Sequence, residues 1–419
     1  MAQTCDLLYL FTQHYPYDSE SNHWQDIELR ILARRFKKVL ILPYRKKENQ
    51  LPPLPSNVEV IDLPQACPAK GGEMYSSRFG RLLSCIKFLV PFFRVMFFEF
   101  FHCKSKIKFL KVLPYAKSFL LQIMEKSVRL EEIIGRHAGQ RAVFYASWFD
   151  EWATMLALIK MKTKNYGFVS RAHGYDVYEE RWTHGIIPFR NFQLEMADKV
   201  FPDSKRGTEY LKEQYPRFSK KISCAHLGTP DMDTNPFNPD ECFTLLSCSA
   251  LIPLKRVHLI AEALRHCNFP LRWIHIGKGP LLGDIRLKTK NLPGSIEAEL
   301  TGYITRDEIL AIYSTRSVNL FIHTSETEGL PGVLMEAASF GIPLMGCNVG
   351  GVPEIINDET GILLPKEITP EEIAGAIASF KNSRKNTGEF RRGVREFWKK
   401  NFNAEVNYNR FIDGILISS

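Results

Sequence analysis

Short apolar runs alternate with segments whose apolar residues recur at helical spacing, and the pattern occurs twice along the chain. In the first stretch Leu7–Phe11, Val39–Leu42, Val143–Ala146 and Phe168–Ser170 read as buried strands. Between the first two, Asp26–Phe36 carries Ile27, Ile31 and Leu32 at helical spacing, and Trp152–Lys160 is a second helical segment. The alternation stops at Thr229–Asp240, where three Pro, two Asn and three Asp cluster as in a linker. It restarts with Thr244–Ser247, Val257–Leu264, Leu271–Ile276, Ile309–Tyr313 and Val318–Ile322. Strand and helix in turn imply a parallel sheet covered on both faces. At 419 residues the chain is too long for one ordinary core. The expectation is an α/β protein of two doubly wound domains in tandem, facing each other across a cleft.

Composition narrows the setting. With 45% hydrophobic and 24% charged residues the chain is globular rather than disordered. Met1–Asp6 has no basic n-region and no run of eighteen apolar residues occurs, so neither a signal peptide nor a membrane span is expected. Nine Cys without a C-x-x-C pair suit a reduced, cytoplasmic compartment with neither a disulfide framework nor a zinc site. The net charge of +9 is unevenly placed: residues 1–236 hold 35 Lys and Arg against 25 Asp and Glu, and residues 237–419 hold 20 against 21. That asymmetry points the first half at an anionic membrane surface or a nucleic acid. Arg78–Lys117 concentrates it, with nine cations, one acid (Glu99) and nine Phe. Phe92, Phe93, Arg94, Lys104, Lys106, Lys108 and Lys111 are the candidate surface residues, with Lys104, Lys108 and Lys111 expected on one helix face. A core helix with a solvated basic side, or stacking of single-stranded bases, explains the same composition.

The stretch Glu328–Glu336, E-G-L-P-G-V-L-M-E, sits between the apolar run Val318–Ile322 and a new helical pattern. It reads as strand, loop, helix, with Glu328 on the loop and Glu336 about one turn into the helix. Gly329 permits close approach of a ligand to backbone, and Pro331 with Gly332 suits a loop-to-helix junction. A helix start favours phosphate, and ionised carboxylates accept from hydroxyls. Phosphate and several hydroxyls together describe a sugar nucleotide.

Two Glu separated by seven residues within E-G-L-P, followed by Gly350-Gly-Val-Pro-Glu-Ile355 and Gly361-Ile-Leu-Leu-Pro365, resemble the signature blocks of the retaining family 4 glycosyltransferases. The resemblance covers Thr244–Pro365 firmly and the part before Gly228 loosely. It implies the twin-Rossmann GT-B fold, with an acceptor domain at 1–236, a donor domain at 237–401, and a last helix at about 402–419 returning to the first domain. It implies Glu336 on the ribose, Glu328 on the sugar, and Lys255 with Arg256 on the leaving diphosphate. In the family an Arg stands five residues before this Lys; here that position is Ala250. By the same resemblance Gly277, in the G-K-G-P-L-L-G turn, and Ile304, in Gly302–Thr305, line the donor site with Gly329, Leu330 and Pro331. The turn's three glycines also match a dinucleotide fingerprint, but Pro280 and the missing first-strand context oppose that reading.

His173, in Arg171-Ala-His-Gly-Tyr-Asp176, resembles a family His near the reacting sugar; a structural His bonded to backbone is the alternative. The Tyr-rich loop Thr12–Ser21 suits a sugar acceptor. The sequence therefore predicts a retaining, metal-independent hexosyltransferase with Glu328, Lys255 and His173 as catalytic residues and no metal site. Its donor would be a UDP- or GDP-sugar, with no other cofactor, and its acceptor a saccharide or lipid-linked saccharide. It would act in surface polysaccharide or glycolipid synthesis, peripheral on the cytoplasmic face of the cell membrane, without a nucleic-acid partner. A catalytically inactive nucleotide-sugar binder and a nucleic-acid binder using residues 78–117 are the competing readings.

Overall fold

A computed structural model describes residues 5–18, 23–46, 51–63, 90, 93–136, 140–163, 166–182 and 184–418. The chain divides into two compact units: residues 1–203, 207–225 and 409–419, and residues 204–206 with 226–408.

The first unit is built on a six-stranded sheet: β1 (Cys5–Thr12), β2 (Phe36–Pro43), β3 (Val58–Val60), β4 (Ala142–Ala146), β5 (Phe168–Ala172) and β6 (Lys199–Pro202). The spatial order is β3-β2-β1-β4-β5-β6 and every described pairing is parallel. The chain thus winds outward from β1 on one side, then restarts at β4 and winds outward on the other. Tyr9 lies beside Leu40 and Phe144 in register, and these central residues are buried. Strands enclosed on both faces read as continuous apolar runs, which is why β1, β2 and β4 were visible in the sequence. The short edge strand β3 and the four-residue β6 were not.

Helix Lys106–Gly135 lays Phe109, Val112, Ala116, Ile123, Leu130 and Ile133 on this core. Arg171 is buried on β5; its guanidinium donates to Glu28 (3.1 Å) and to the Ala225 carbonyl (2.7 Å) and lies 4.0 Å over the Phe411 ring. Phe411 belongs to the last helix, Ala404–Ser418, whose Asp413 also pairs with Arg35 at 2.6 Å. Residues from the far end of the chain therefore complete the first core.

The second unit repeats the winding. Its strands are β7 (Phe243–Cys248), β8 (Leu271–Ile276), β9 (Ile296–Gly302), β10 (Leu320–His323), β11 (Leu344–Cys347) and β12 (Gly361–Leu364), in the parallel order β12-β11-β10-β7-β8-β9. Helices Val257–Ala263 and Pro370–Lys381 supply Ile260, Ala261, Ile373 and Ile377 to its core.

The Pro- and Asn-rich stretch expected as a linker is laid into this unit instead. Thr229 exchanges backbone hydrogen bonds with Phe402 and Ala404, 3.0 Å each. Asn235 is buried, accepts from Val318 N–H and from Arg391, and donates to the Tyr313 and Arg316 carbonyls. A side chain with two donors and an acceptor can stand in for the missing backbone pairs of an irregular segment, so a composition typical of linkers folds here as ordered chain.

Candidate functional site

In the second unit the chain runs β7, β8, β9 to one side and resumes with β10 on the other flank of β7. Loops leaving β7 and β10 at their carboxyl ends therefore part company, and open α/β sheets bind ligands in the crevice this leaves. Lys255 comes from the loop after β7 and Glu328 from the loop after β10, and they meet there at 2.6 Å. His323, the last residue of β10, approaches the same Glu328 oxygen with Nε2 at 3.1 Å. Burial alone would raise the Glu328 carboxyl. The His323 and Lys255 donors outweigh it and hold the group at about 2. At neutral pH Glu328 is a carboxylate that only accepts hydrogen bonds.

One turn further, helix Gly332–Ser339 begins behind Pro331, and no side chain among the described residues caps it. Its first N–H groups and partial positive charge suit a phosphate oxygen. Glu336 lies on this helix, nearly buried, with Arg306 Nη1 at 2.6 Å from its carboxylate. Arg306 opens helix Arg306–Thr315, whose capping box pairs Thr305 with Glu308. Ile304 sits in the same turn, partly exposed, next to the exposed Tyr303 ring and the Lys278 ammonium 4.5 Å from its centroid.

Two glycines in the expected blocks work through backbone packing. Gly350 has φ +52°, and a Cβ there would stand 1.9 Å from the Glu328 carbonyl. With Gly351 N–H donating to Gly329 O at 2.7 Å, the Gly-Gly-Val-Pro block clamps the loop that carries Glu328. Gly277, φ +140°, lets the turn after β8 lie on Ser249, whose carbonyl would be 2.0 Å from a Cβ. Leu330 is buried beneath its loop.

Arg256 differs from the expectation of a second phosphate cation. Its guanidinium is taken up by the Thr324 carbonyl (2.9 Å), the Lys366 carbonyl (3.0 Å) and Cys347 Sγ (3.4 Å). It ties the β7, β10 and β12 loops together, and a cation so engaged must break these bonds to meet a phosphate. His323 and Arg306 were not found by sequence reasoning. His323 ends an apolar strand and Arg306 lies within a Thr-x-x-Glu capping pattern, so position relative to the sheet's carboxyl end was the available signal.

His173 belongs to the first unit. Nε2 donates to the Ser147 carbonyl at 3.0 Å, Nδ1 lies 3.1 Å from Asp203, and Trp24 and Trp148 pack on the ring. Burial opposes its charge, but Asp203 and Asp176 outweigh that and raise its pKa. Both ring nitrogens thus have partners within this unit. In the described part of the Tyr-rich loop, Tyr15 and Tyr17 are buried, with hydroxyls on Asp26 and Asp62 at 2.7 Å, so they do not present rings to a ligand.

In the basic segment, Phe92 and residues 78–89 lie outside the described residues. Phe93, Phe97 and Phe101 stand on one face of the helical residues 93–102 and are 53%, 60% and 68% exposed. Arg94 is exposed beside them. The expected single face of Lys104, Lys108 and Lys111 does not form. Ser105 caps the next helix, accepting from Lys108 N–H, so Lys104 lies ahead of that helix. Lys104 pairs with Gln214, Lys106 folds back on the Phe100 carbonyl, Lys108 donates to Gly185 O at 3.1 Å, and Lys111 is exposed. Among the described residues no helix is long and apolar enough to cross a membrane, and no cluster of His, Cys, Asp or Glu could hold a metal ion.

Residues 231–397 match the family model described as glycosyl transferases group 1, the part of the chain that holds Lys255, His323, Glu328 and Glu336. The chain is 26% identical over 282 residues to the GtfA subunit of a UDP-N-acetylglucosamine–peptide N-acetylglucosaminyltransferase from Streptococcus pneumoniae, covering 64% of this chain and 52% of that protein. It is 23% identical to a GDP-mannose-dependent phosphatidylinositol monomannoside mannosyltransferase from Mycobacterium tuberculosis, over 64% of this chain and 73% of the other. The chain thus spans about half the length of the streptococcal relative. The crystal structure of Anabaena HepE, in complex with UDP and glucose, superposes with a TM-score of 0.64 at 16% identity, covering 99% of this chain and 100% of HepE. That likeness shows the fold: the GT-B architecture of two Rossmann-like domains.

Proposed function

We propose that the chain is a retaining family 4 glycosyltransferase that moves a hexose from a UDP- or GDP-sugar to a saccharide or lipid-linked saccharide. The observation that carries this reading is the Lys255–Glu328–His323 cluster at the switch point of the second sheet, one turn from an uncapped helix start and Glu336. A diphosphate suits the Lys255 ammonium and the helix N–H groups. Glu336 accepts from ribose hydroxyls and Glu328 from hydroxyls of the transferred sugar. The bond from the anomeric carbon to the diphosphate breaks with its electron pair leaving on the phosphate. The acceptor hydroxyl attacks on the same face, and its proton departs with the diphosphate. Stabilising the leaving group is the main catalytic term, and Lys255 supplies it without a metal. The first unit takes the acceptor and the second the donor. The streptococcal and mycobacterial relatives, whose names specify UDP- and GDP-sugars, support both donor classes.

The enzyme acts at the cytoplasmic face of the cell membrane, in polysaccharide or glycolipid synthesis. The three exposed Phe, with Arg94 and the lysines from Lys104 to Lys111, combine apolar insertion with attraction to anionic lipid.

A thermal-shift screen of nucleotide diphosphates and their sugars tests the donor assignment, since a bound ligand raises stability by RT ln(1 + [L]/Kd). Glu336→Ala should weaken free nucleotide diphosphate and donor alike. Glu328→Ala should spare the free nucleotide and weaken only the donor; equal loss of free nucleotide in both variants contradicts the roles. Turnover should persist in EDTA.

A further inference from the structure

The first sheet has a switch point of its own, between β1 and β4. The loops after these strands, with segments after β2 and β5 and Tyr115 of helix Lys106–Gly135, line an open cavity of about 450 Å³ made entirely of first-unit residues. Gln13, from the loop after β1, spans to the loop after β4. Its amide donates to Asp150 and, at 2.9 Å, to Glu151. Asp150 also accepts from Trp152 N–H at 3.0 Å. Burial, then the neighbouring Glu151 charge, push the Asp150 carboxyl well above its usual range. The two carboxyls, converging on one amide, offer several acceptors to the hydroxyls of a sugar.

The cavity also has an aromatic side. Tyr175 and Trp182 lie with ring centroids 5.2 Å apart and planes 32° from parallel, tied by Trp182 Nε1 donating to Tyr175 O at 3.0 Å. Tyr175 is 56% exposed, and Trp148 lines the same space. Exposed rings beside fixed polar groups bind ligands with one apolar face and a polar edge. Charge sets the remaining condition. Asp150, Glu151 and Asp176 line the cavity with the exposed Arg45, and the buried Arg190 guanidinium lies behind it on the Phe149 (2.9 Å) and Asp176 carbonyls. The Asp176 carboxylate already accepts from Phe149 and His173 N–H.

We propose that this cavity is the acceptor subsite and that it takes an uncharged pyranose ring, stacked on Tyr175 and Trp182 and hydrogen-bonded by Asp150 and Glu151, while rejecting uronates and phosphorylated sugars. The proposal rests on the glycosyltransferase reading for the word acceptor, but the binding it asserts is measured without a donor. Saturation-transfer NMR on the full chain, with methyl α-glucoside, methyl N-acetylglucosaminide, glucuronate and glucose 6-phosphate, gives the comparison. The neutral glycosides should bind at least about tenfold more tightly than either anion, since a carboxylate or phosphate meets the acidic floor at short range. Tyr175→Ala, at an exposed position, and Trp182→Ala should each remove most of the neutral-sugar signal. Asp150→Asn with Glu151→Gln should abolish the discrimination against glucuronate. Anions binding as well as neutral sugars, neutral-sugar binding unchanged in both aromatic variants, or no saturation of any sugar overturns the proposal. UDP and GDP thermal shifts, recorded on the same samples, report on the second unit. If nucleotides fail to bind, the proposed function fails, and the sugar result stands or falls by itself.

Discussion

Glu328→Gln isolates the charge at the centre of the second unit's site, because the amide keeps the shape and removes only the ionisation. The carboxyl is displaced from its ordinary value of 4.5 to about 2. At about 1.4 kcal/mol for each tenfold change in an equilibrium, this is about 3 kcal/mol in favour of the folded carboxylate. Lys255 and Glu328 side chains are 23% and 12% exposed, so solvent screening trims that figure modestly. The folded value lies below the unfolded one. The contribution is therefore complete above pH 4.5 and disappears as pH falls toward 2. At pH 7 the variant should lose about 3 kcal/mol, and the gap to wild type should narrow steadily below pH 4.5. Two units need not unfold together, so one global midpoint is a poor readout. Native-state hydrogen exchange of peptides covering β7 and β10 follows the second unit alone. Equal or greater protection of the Gln variant at pH 7, or a gap that widens in acid, refutes the claim that Lys255 and His323 hold this carboxylate.

Lys255→Ala should cost about 2–4 kcal/mol in kcat/KM, as removal of one charge-stabilising donor does, and a near-normal rate excludes its role on the diphosphate. Arg256→Ala should lower the unfolding temperature of the second unit, because it orphans the Thr324 and Lys366 carbonyls; lost turnover at unchanged stability would return the phosphate role to Arg256. Neutralising Lys104, Lys106, Lys108 and Lys111 together should release the protein from anionic vesicles in co-sedimentation, each cation contributing at most about 1 kcal/mol, and wild-type pelleting sinks the membrane assignment. Phe411→Ala should cost the first unit about 3–5 kcal/mol in denaturant unfolding, since the ring is buried beneath Arg171 and against Tyr145 and Phe201.

The sheets were legible where strands are enclosed on both faces, as in β1, β4, β7 and β8, because burial there writes an uninterrupted apolar run. They were not legible at β3, β6, β11 and β12, where three or four residues carry too little pattern, nor at β9, whose seven residues mix two Glu with apolar side chains and bury only Ile296. The strand–loop–helix reading of Glu328–Glu336 rested on local chemistry, a Gly-Pro turn ahead of helical periodicity, and the helix begins at Gly332. What surrounds those residues was another matter. Lys255 reaches Glu328 across the gap between β7 and β10, His323 meets it from the end of β10 itself, and Gln13 reaches Asp150 across the gap between β1 and β4. Lys104 left its expected helix face because Ser105 caps a new helix, and Arg256 turned from ligand to scaffold because three loops leave carbonyls and a thiol around it. Local sequence determined which segments are strands, helices and tight turns, since propensity, periodicity and backbone sterics act within a few residues. Only the tertiary structure decided which side chains share a site, because strand order places loops from distant parts of the chain side by side at the carboxyl edge of each sheet.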